Sequence, residues 1–92
     1  MLDVKQATKA ASDYFASLVE PQTVSDIRLE EVEIEQEEPE ADTFRTYWLI
    51  TLSYLPAKPN PLLPAEQERQ YKVFKIDAET GELMSMKMLK VA

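Results

Sequence analysis

Apolar side chains near the amino terminus recur every three or four residues, which is the spacing of one helix face. Asp3 and Gln6 have the spacing of a capping box, in which each side chain accepts a hydrogen bond from the other residue's backbone N–H. The pattern predicts an amphipathic helix of about four turns that begins after Asp3 and ends before Pro21. The predicted apolar face is formed by Val4, Ala7, Ala11, Tyr14, Phe15 and Leu18.

The next segment changes to an alternating pattern whose phase shifts partway. Ile27 and Leu29 share one parity, whereas Val32 and Ile34 share the other. Because strand side chains alternate between faces, all four can point inward only if one extra residue is inserted near Glu30. We therefore predict a β-strand with a bulge. A helix is the rival interpretation, since glutamate favours helices.

Three further strands follow from the same alternation. In the clearest of them Trp48 lies on the apolar face, and Arg45 and Tyr47 lie on the opposite face, where we expect Tyr47 to be exposed. The last two flank a tight turn at Gly81, the only glycine of the chain and able to adopt a positive φ. The predicted strands cover residues 26–36, 43–55, 68–76 and 83–89.

Two connections are predicted from proline. Pro39 indicates a polar turn over residues 37–42. A proline-rich loop over residues 56–64 follows the second strand and contains two P-x-x-P patterns, which aromatic grooves recognise. Leu62 and Leu63 within it either fold back over the sheet or contact another molecule, and we take both as candidate partner-binding residues.

The order of these elements predicts the fold class. We expect a single α+β domain over residues 1–92, with one amino-terminal helix packed on a four-stranded antiparallel meander sheet, α-β-β-β-β. The helix is the only cover available for the apolar face of the sheet. Alternating methionines on the last strand fit either the gap under the helix or an adaptable surface: Met84, Met86 and Met88.

Composition excludes several kinds of chemistry. The chain has no histidine and no cysteine, so the commonest general base, thiolate chemistry and disulfides are unavailable. The net charge of −7 disfavours binding to nucleic-acid phosphates or anionic lipid. The sequence has no apolar run long enough for a membrane span and no visible signal peptide. We expect a cytoplasmic protein that is not an enzyme and holds no cofactor or metal.

An acidic run follows the bulge. It favours a docking surface for a basic partner, an imitation of nucleic-acid charge, or a solvated edge strand whose charges prevent edge-to-edge pairing. Arg69, Lys72 and Lys75 are expected to supply cross-strand partners. The run consists of Glu30, Glu31, Glu33, Glu35, Glu37, Glu38, Glu40 and Asp42.

The last hairpin carries a sequence motif that matches a known family. The matching residues are Tyr71, Val73, Ile76, Asp77, Ala78, Thr80, Gly81, Glu82 and Leu83. Together with the helix-then-meander order, this motif resembles the PepSY family and its cystatin-like relatives. The resemblance implies a helix-on-sheet module that binds or regulates proteins, with peptidases as a partner class and no catalytic residues to transfer.

Three functional hypotheses follow. The first is a small non-catalytic protein-binding or regulatory module, with a protein partner or a second copy of the chain as its ligand. The second is a small-molecule carrier whose pocket lies between helix and sheet. The third is an acidic decoy for a nucleic-acid-binding protein. Candidate contacts for the first are Leu62, Leu63, Tyr47, Arg45, Glu35, Glu37 and Glu38; the carrier's walls would be Tyr14, Phe15, Trp48 and Phe74.

Overall fold

The amino-terminal helix, α1, spans Val4–Leu18 in the computed structural model, which describes residues 1–20, 24–56 and 69–89. The Gln6 backbone N–H donates to Asp3 Oδ1 at 2.8 Å, and the Asp3 N–H donates to Gln6 Oε1 at 2.9 Å. The predicted capping box is therefore confirmed. At the other end the Val19 N–H donates to the Phe15 carbonyl at 3.2 Å, after which the backbone becomes extended.

Four antiparallel strands form one sheet with the order β1-β2-β3-β4. Their bounds are β1 (Val24–Glu40), β2 (Thr43–Pro56), β3 (Gln70–Asp77) and β4 (Leu83–Leu89). The predicted α+β fold, one helix and a four-stranded meander, is confirmed. Most of the predicted proline-rich loop, including Leu62 and Leu63, lies outside the described residues.

The predicted bulge in β1 is confirmed. Leu29 lies opposite Leu52 and Glu31 lies opposite Thr51, so Glu30 has no counterpart on β2. The extra residue changes the parity of the strand at that point. Residues on both sides of Glu30 therefore turn their apolar side chains toward the face of the sheet that carries α1.

The predicted turn over residues 37–42 is too long. Strand β1 continues to Glu40, which lies opposite Thr43, and the chain reverses at Asp42 with a φ of 63°. The Asp42 N–H donates to Glu38 Oε1 at 3.0 Å, which holds the reversal. The register still breaks between Glu37 and Glu40, as expected around Pro39, because proline cannot donate to the ladder.

The core lies between α1 and the central strands β2 and β3, which are the two strands that α1 contacts most. Small side chains on α1 allow it to approach the sheet, and Phe15 fills the space between them. Met86 packs against this core, whereas Met84 and Met88 are exposed. The buried cluster consists of Ala7, Ala11, Phe15, Ile50, Leu52, Tyr54, Phe74 and Ile76.

The start of the chain is fixed to the β3–β4 turn. The Leu2 N–H donates to the Ala78 carbonyl at 2.6 Å, and the Trp48 indole N–H donates to the Leu2 carbonyl at 3.0 Å. Gly81 has a φ of 77°, and its N–H donates to the Asp77 carbonyl at 2.8 Å. These bonds set the position of α1 over the sheet.

Replacing Gly81 with alanine should lower the free energy of unfolding by about 1–2 kcal/mol, because a side chain is strained at this positive φ. A Cβ would also lie 3.3 Å from Leu2 Cδ1. Urea denaturation measures the loss. Gly81→Asn is the matched variant, since asparagine carries the same Cβ but tolerates this backbone region. Equal losses in the two variants would assign the cost to Leu2 and contradict the strain.

Candidate protein-binding surface

The sheet has two different faces along β1: the helix side, which carries α1, and the outer face opposite it. Four of the residues predicted to bind a partner meet on the outer face, where Glu35 lies opposite Tyr47 and Glu37 lies opposite Arg45. Glu38 lies apart from them at the hairpin reversal. Lys75, which contacts Glu35 and Glu37 of this group, was predicted as a cross-strand partner of the acidic run, and that pairing is confirmed.

Lys75 of β3 reaches across β2 to two glutamates of β1. Its Nζ lies 2.5 Å from Glu37 Oε1 and 3.8 Å from Glu35 Oε2. It also lies 4.4 Å from the centroid of the Tyr47 ring. The hydrogen bond to Glu37 is the main reason that the pKa of Lys75 is raised, and burial opposes it. Tyr47 is only 6% exposed, so the expectation of an exposed ring is wrong.

A second polar group holds the beginning of β1. Arg69 Nη1 donates to Ser53 Oγ at 2.8 Å and to the Asp26 carbonyl at 2.9 Å, and Nη2 contacts the Asp26 carboxylate. Ser53 Oγ donates to Glu30 Oε1 at 2.7 Å, and Ser53 is fully buried. Asp26 has a φ of 49°, at another break in the register of β1. Arg69 thus fixes an irregular part of the strand.

Lys72 does not pair with the acidic run as predicted. It lies on the helix side of β3, with Nζ 6.0 Å from the centroid of the Phe15 ring and 5.9 Å from that of Tyr54. Lys72 is two residues from the buried Phe74 on β3, so both side chains point to the helix side and Lys72 cannot reach the outer face. An ammonium at this distance from aromatic rings is weakly attracted to their faces.

Glu31 and Glu33 occupy the same outer face, but the ion pairs among the described residues there use Glu35 and Glu37 instead. A hydrogen bond to the Glu31 carboxyl and the negative charge of that group raise the pKa of Glu33. A cavity of about 260 Å³ lies beside the two glutamates and is lined also by Leu49, Val73 and Leu89. This part of the outer face keeps an excess of negative charge.

Glu31→Gln should return the pKa of Glu33 toward its ordinary value of 4.5, because it removes the neighbouring negative charge. The measurement is a titration of the glutamate side-chain carboxyl ¹³C shifts by NMR. Glu40→Gln, at the far end of β1, is the matched control and should leave the Glu33 titration unchanged. A Glu33 curve that is the same in wild type and Glu31→Gln would contradict the coupling.

An apolar strip is exposed along the helix side of β1. It consists of Ile27, Leu29 and Ile34, which are 46%, 49% and 57% exposed. Their direct neighbours on β2 differ sharply, since Leu52, opposite Leu29, is 2% exposed. Among the apolar residues of the strand near the bulge, Val32 packs against the core. The sequence predicted that α1 would shelter all four side chains, and for the strip that prediction is wrong.

The physical reason is the width of the helix. An α-helix with its side chains is about 10–12 Å wide, and neighbouring strands lie about 4.8 Å apart, so one helix covers roughly two strands. Helix α1 lies mainly over β2 and β3, which leaves much of β1 beyond its flank. The number of predicted elements already contained this information, since one helix cannot cover a sheet of four strands.

A groove separates α1 from this strip. It has a volume of about 390 Å³ and is lined by Val4, Lys5, Thr8, Lys9 and Leu29. Val4 is 42% exposed, so its apolar side chain faces the groove from the helix. Leu29 belongs to both the groove and the strip.

Strand β1 is also an edge of the sheet. It is 17 residues long and has β2 as its neighbour on one side. The backbone N–H and C=O groups that point away from β2 can pair with a further strand, as at any open sheet edge. The strip, the glutamates and this edge therefore belong to a single element.

The predicted walls of a small-molecule pocket are largely used for packing. Phe15 and Phe74 have ring centroids 5.8 Å apart and are 1% and 0% exposed. Trp48 bonds to Leu2 near the helix start. Tyr14 instead lines a surface cavity of about 370 Å³ on the other flank of α1, beside Gly81.

Neither a metal centre nor a membrane span is found in the part of the chain that the structure describes. Its His, Cys, Asp and Glu side chains form no group of three or more that could hold a metal ion. None of its helices is long and apolar enough to cross a membrane. Comparison with protein families, curated proteins and solved structures finds no match to this chain.

Proposed function

We propose that this chain is a small non-catalytic protein-binding module that holds its partner at the strip and groove between α1 and β1. The observation that supports the proposal is that the strip on β1 is exposed although the apolar side chains beside it on β2 are buried. Leu29 and Ile34 are about half exposed, whereas Ile50 on the adjacent strand is fully buried. Contiguous apolar surface of this kind typically marks an interaction site.

The composition of the groove favours a protein over a small molecule. Its lining is mostly apolar, from Val4 and Leu29 together with Lys5, Thr8 and Lys9, and it is an open surface groove and not an enclosed cavity. Protein interfaces combine such an apolar centre with a charged rim. Small-molecule sites are concave and enclose most of the ligand surface.

A regulatory role toward peptidases is the more specific form of this proposal. It comes from the resemblance of the last hairpin to the PepSY family. The Asp77 carboxylate accepts hydrogen bonds from the N–H groups of Glu79 and Thr80 at 2.8 and 3.2 Å, which stabilises the turn at the centre of that motif. The residues that line the groove do not include this turn, which instead bonds to Leu2 ahead of α1.

Site-specific photo-crosslinking tests the proposal. A photoreactive phenylalanine analogue at Leu29 or Ile34 should capture the same partner from a native lysate, identified by mass spectrometry. Matched controls at Ser12 on the solvent side of α1 and at Lys87 on β4 are exposed but distant from the groove. The proposal fails when all four positions capture the same proteins, or when the two groove positions capture none.

A further inference from the structure

Strand β1 offers three complementary features to one ligand. Among the strands that the structure describes, only β2 pairs with β1, so its other backbone edge can pair with a further strand. Its helix side carries the strip, and its outer face carries Glu31 and Glu33. A strand placed beside β1 would have alternate side chains on the two faces of the sheet. One set would meet an apolar surface and the other set would meet carboxylates.

We propose that the ligand is an extended segment of a partner protein, alternating Lys or Arg with aliphatic residues, that adds to β1 as a fifth strand. This inference rests on the proposed protein-binding function. Main-chain hydrogen bonds supply affinity in this mode of recognition, and the alternate side chains supply specificity. The aliphatic set covers Leu29 and Ile34 and faces Val4 across the groove, while the cationic set lies beside Glu31 and Glu33.

Charge decides where the cations lie. Lys75 already pairs with Glu35 and Glu37, whereas no ion pair within residues 1–20, 24–56 and 69–89 uses Glu31 or Glu33. Side chains on directly opposed residues of neighbouring strands lie about 4.5–5.5 Å apart. A Lys or Arg opposite either glutamate is therefore within ion-pairing distance of it. A cation at this position also offsets the repulsion between the two carboxyls, which together with the hydrogen bond between them raises the pKa of Glu33.

The same charge disfavours a second copy of this chain as the ligand. Two β1 strands joined edge to edge in one continuous sheet would place their outer faces side by side. The glutamates of one copy would then lie opposite those of the other, for example Glu33 opposite Glu33 or Glu31 opposite Glu35. Like charges directly opposed across strands are destabilising. A basic segment converts each of these contacts into an attraction.

The probe for this inference is a synthetic nine-residue peptide in which Lys alternates with Val or Ile. Two versions carry N-methyl groups on alternate backbone nitrogens, one version on each edge of the strand. Methylation removes the donors of one edge only and also prevents the peptide from forming sheets with itself. Binding is measured by fluorescence anisotropy, and its location by changes in backbone amide NMR shifts along β1.

We expect one methylated version to bind and the other to bind at least about tenfold more weakly, because only one of them keeps the donors that face β1. A peptide of the same composition with lysines and aliphatic residues in separate blocks, and one with Glu in place of Lys, should both bind more weakly. Binding should weaken in Glu31→Gln/Glu33→Gln and in Leu29→Ser/Ile34→Ser. In the glutamine variant it should also become less sensitive to salt. Lys87→Gln is the surface control.

Equal binding of the two methylated versions, or shifts confined to residues outside β1, would overturn the added strand. A dimer of the free chain that is lost in Ile34→Lys, detected by sedimentation velocity, would identify a second copy as the ligand and overturn the basic segment. If crosslinking at Leu29 and Ile34 captures a partner while the peptide does not bind, the protein-binding function stands and the strand addition falls. If crosslinking fails as well, both fall.

Discussion

Replacing Phe15 with alanine should lower the free energy of unfolding by about 3–5 kcal/mol. Phe15 is 1% exposed and joins α1 to the sheet, with its ring centroid 5.1 Å from that of Tyr54 and 5.8 Å from that of Phe74. Domains are stable by only about 5–15 kcal/mol, so this loss is a large part of the total. Urea denaturation followed by circular dichroism and Trp48 fluorescence measures it.

Leu18→Ala is the matched control, because it removes an aliphatic group from the same helix at a position that is 55% exposed. Its cost should stay within about 0.5 kcal/mol. Phe15→Leu should lose about 1–2 kcal/mol and keeps the comparison quantitative should the alanine variant not fold. Similar losses in the alanine variants at Phe15 and Leu18 would contradict the assignment of Phe15 as the contact that holds α1.

Replacing Arg69 with glutamine should lower the free energy of unfolding by about 1–3 kcal/mol. The substitution removes the guanidinium that bonds to the fully buried Ser53 and to both the carbonyl and the carboxylate of Asp26. A buried hydroxyl then loses a donor, and the irregular start of β1 loses its connection to β3. Urea denaturation at neutral pH measures the loss.

Arg28→Gln is the control for this prediction. Arg28 also contacts the Asp26 carboxylate, at 2.8 Å, but its side chain is 60% exposed. Its removal should therefore cost no more than about 1 kcal/mol, as is typical of surface ion pairs. A cost equal to that of Arg69→Gln would show that the carboxylate contact, and not the bond to buried Ser53, is what matters.

Acid should reduce the effect of Arg69→Gln. Hydrogen bonding from Arg28, together with the charges of Arg28 and Arg69, holds the pKa of Asp26 below its ordinary value of 3.8. A carboxyl whose pKa is lowered by folding stabilises the folded state above that ordinary value, and this stabilisation is lost as the pH falls through the folded pKa. The difference between wild type and variant should therefore be full at neutral pH and narrow below pH 3.8.

The polar contacts of the outer face explain how β1 can leave apolar side chains uncovered. Arg69 connects β3 to the first part of the strand, and Lys75 connects it to Glu35 and Glu37. Together with the pairing to β2 and the packing of Val32 against the core, these contacts hold β1 in place. The strip therefore remains available to a partner. The outer face of β1 supplies the contacts that stabilise the strand, and its helix side is free to bind.

The fold shows which features are local enough to be predicted. The capping box at Asp3 and Gln6 needs only residues three positions apart. The bulge at Glu30 follows from the parity of Leu29 and Val32 within one strand. The turn at Gly81 needs a single residue that accepts positive φ. In each case the physical cause acts over a few consecutive residues, so the local sequence is enough to predict the feature.

The candidate site was harder to predict because its features depend on other elements. Lys75 was predicted as a partner of the acidic run, but which glutamates it meets depends on the pairing of three strands, and the structure gives Glu35 and Glu37. That lysine covers Tyr47, so alternation alone gave the right face and the wrong exposure. The strip was predicted to be part of the core because Ile27, Leu29 and Ile34 are aliphatic residues of the kind that usually form a core.

The sequence by itself determined the helix, the four strands, their antiparallel order and the bulge that turns Leu29 and Ile34 to one side. Tertiary structure alone decided what lies over that side. Whether an apolar side chain becomes core or surface depends on the distance between its strand and the covering helix, and α1 lies mainly over β2 and β3. Local pattern fixes the direction of a side chain, but the packing of whole elements fixes what it meets.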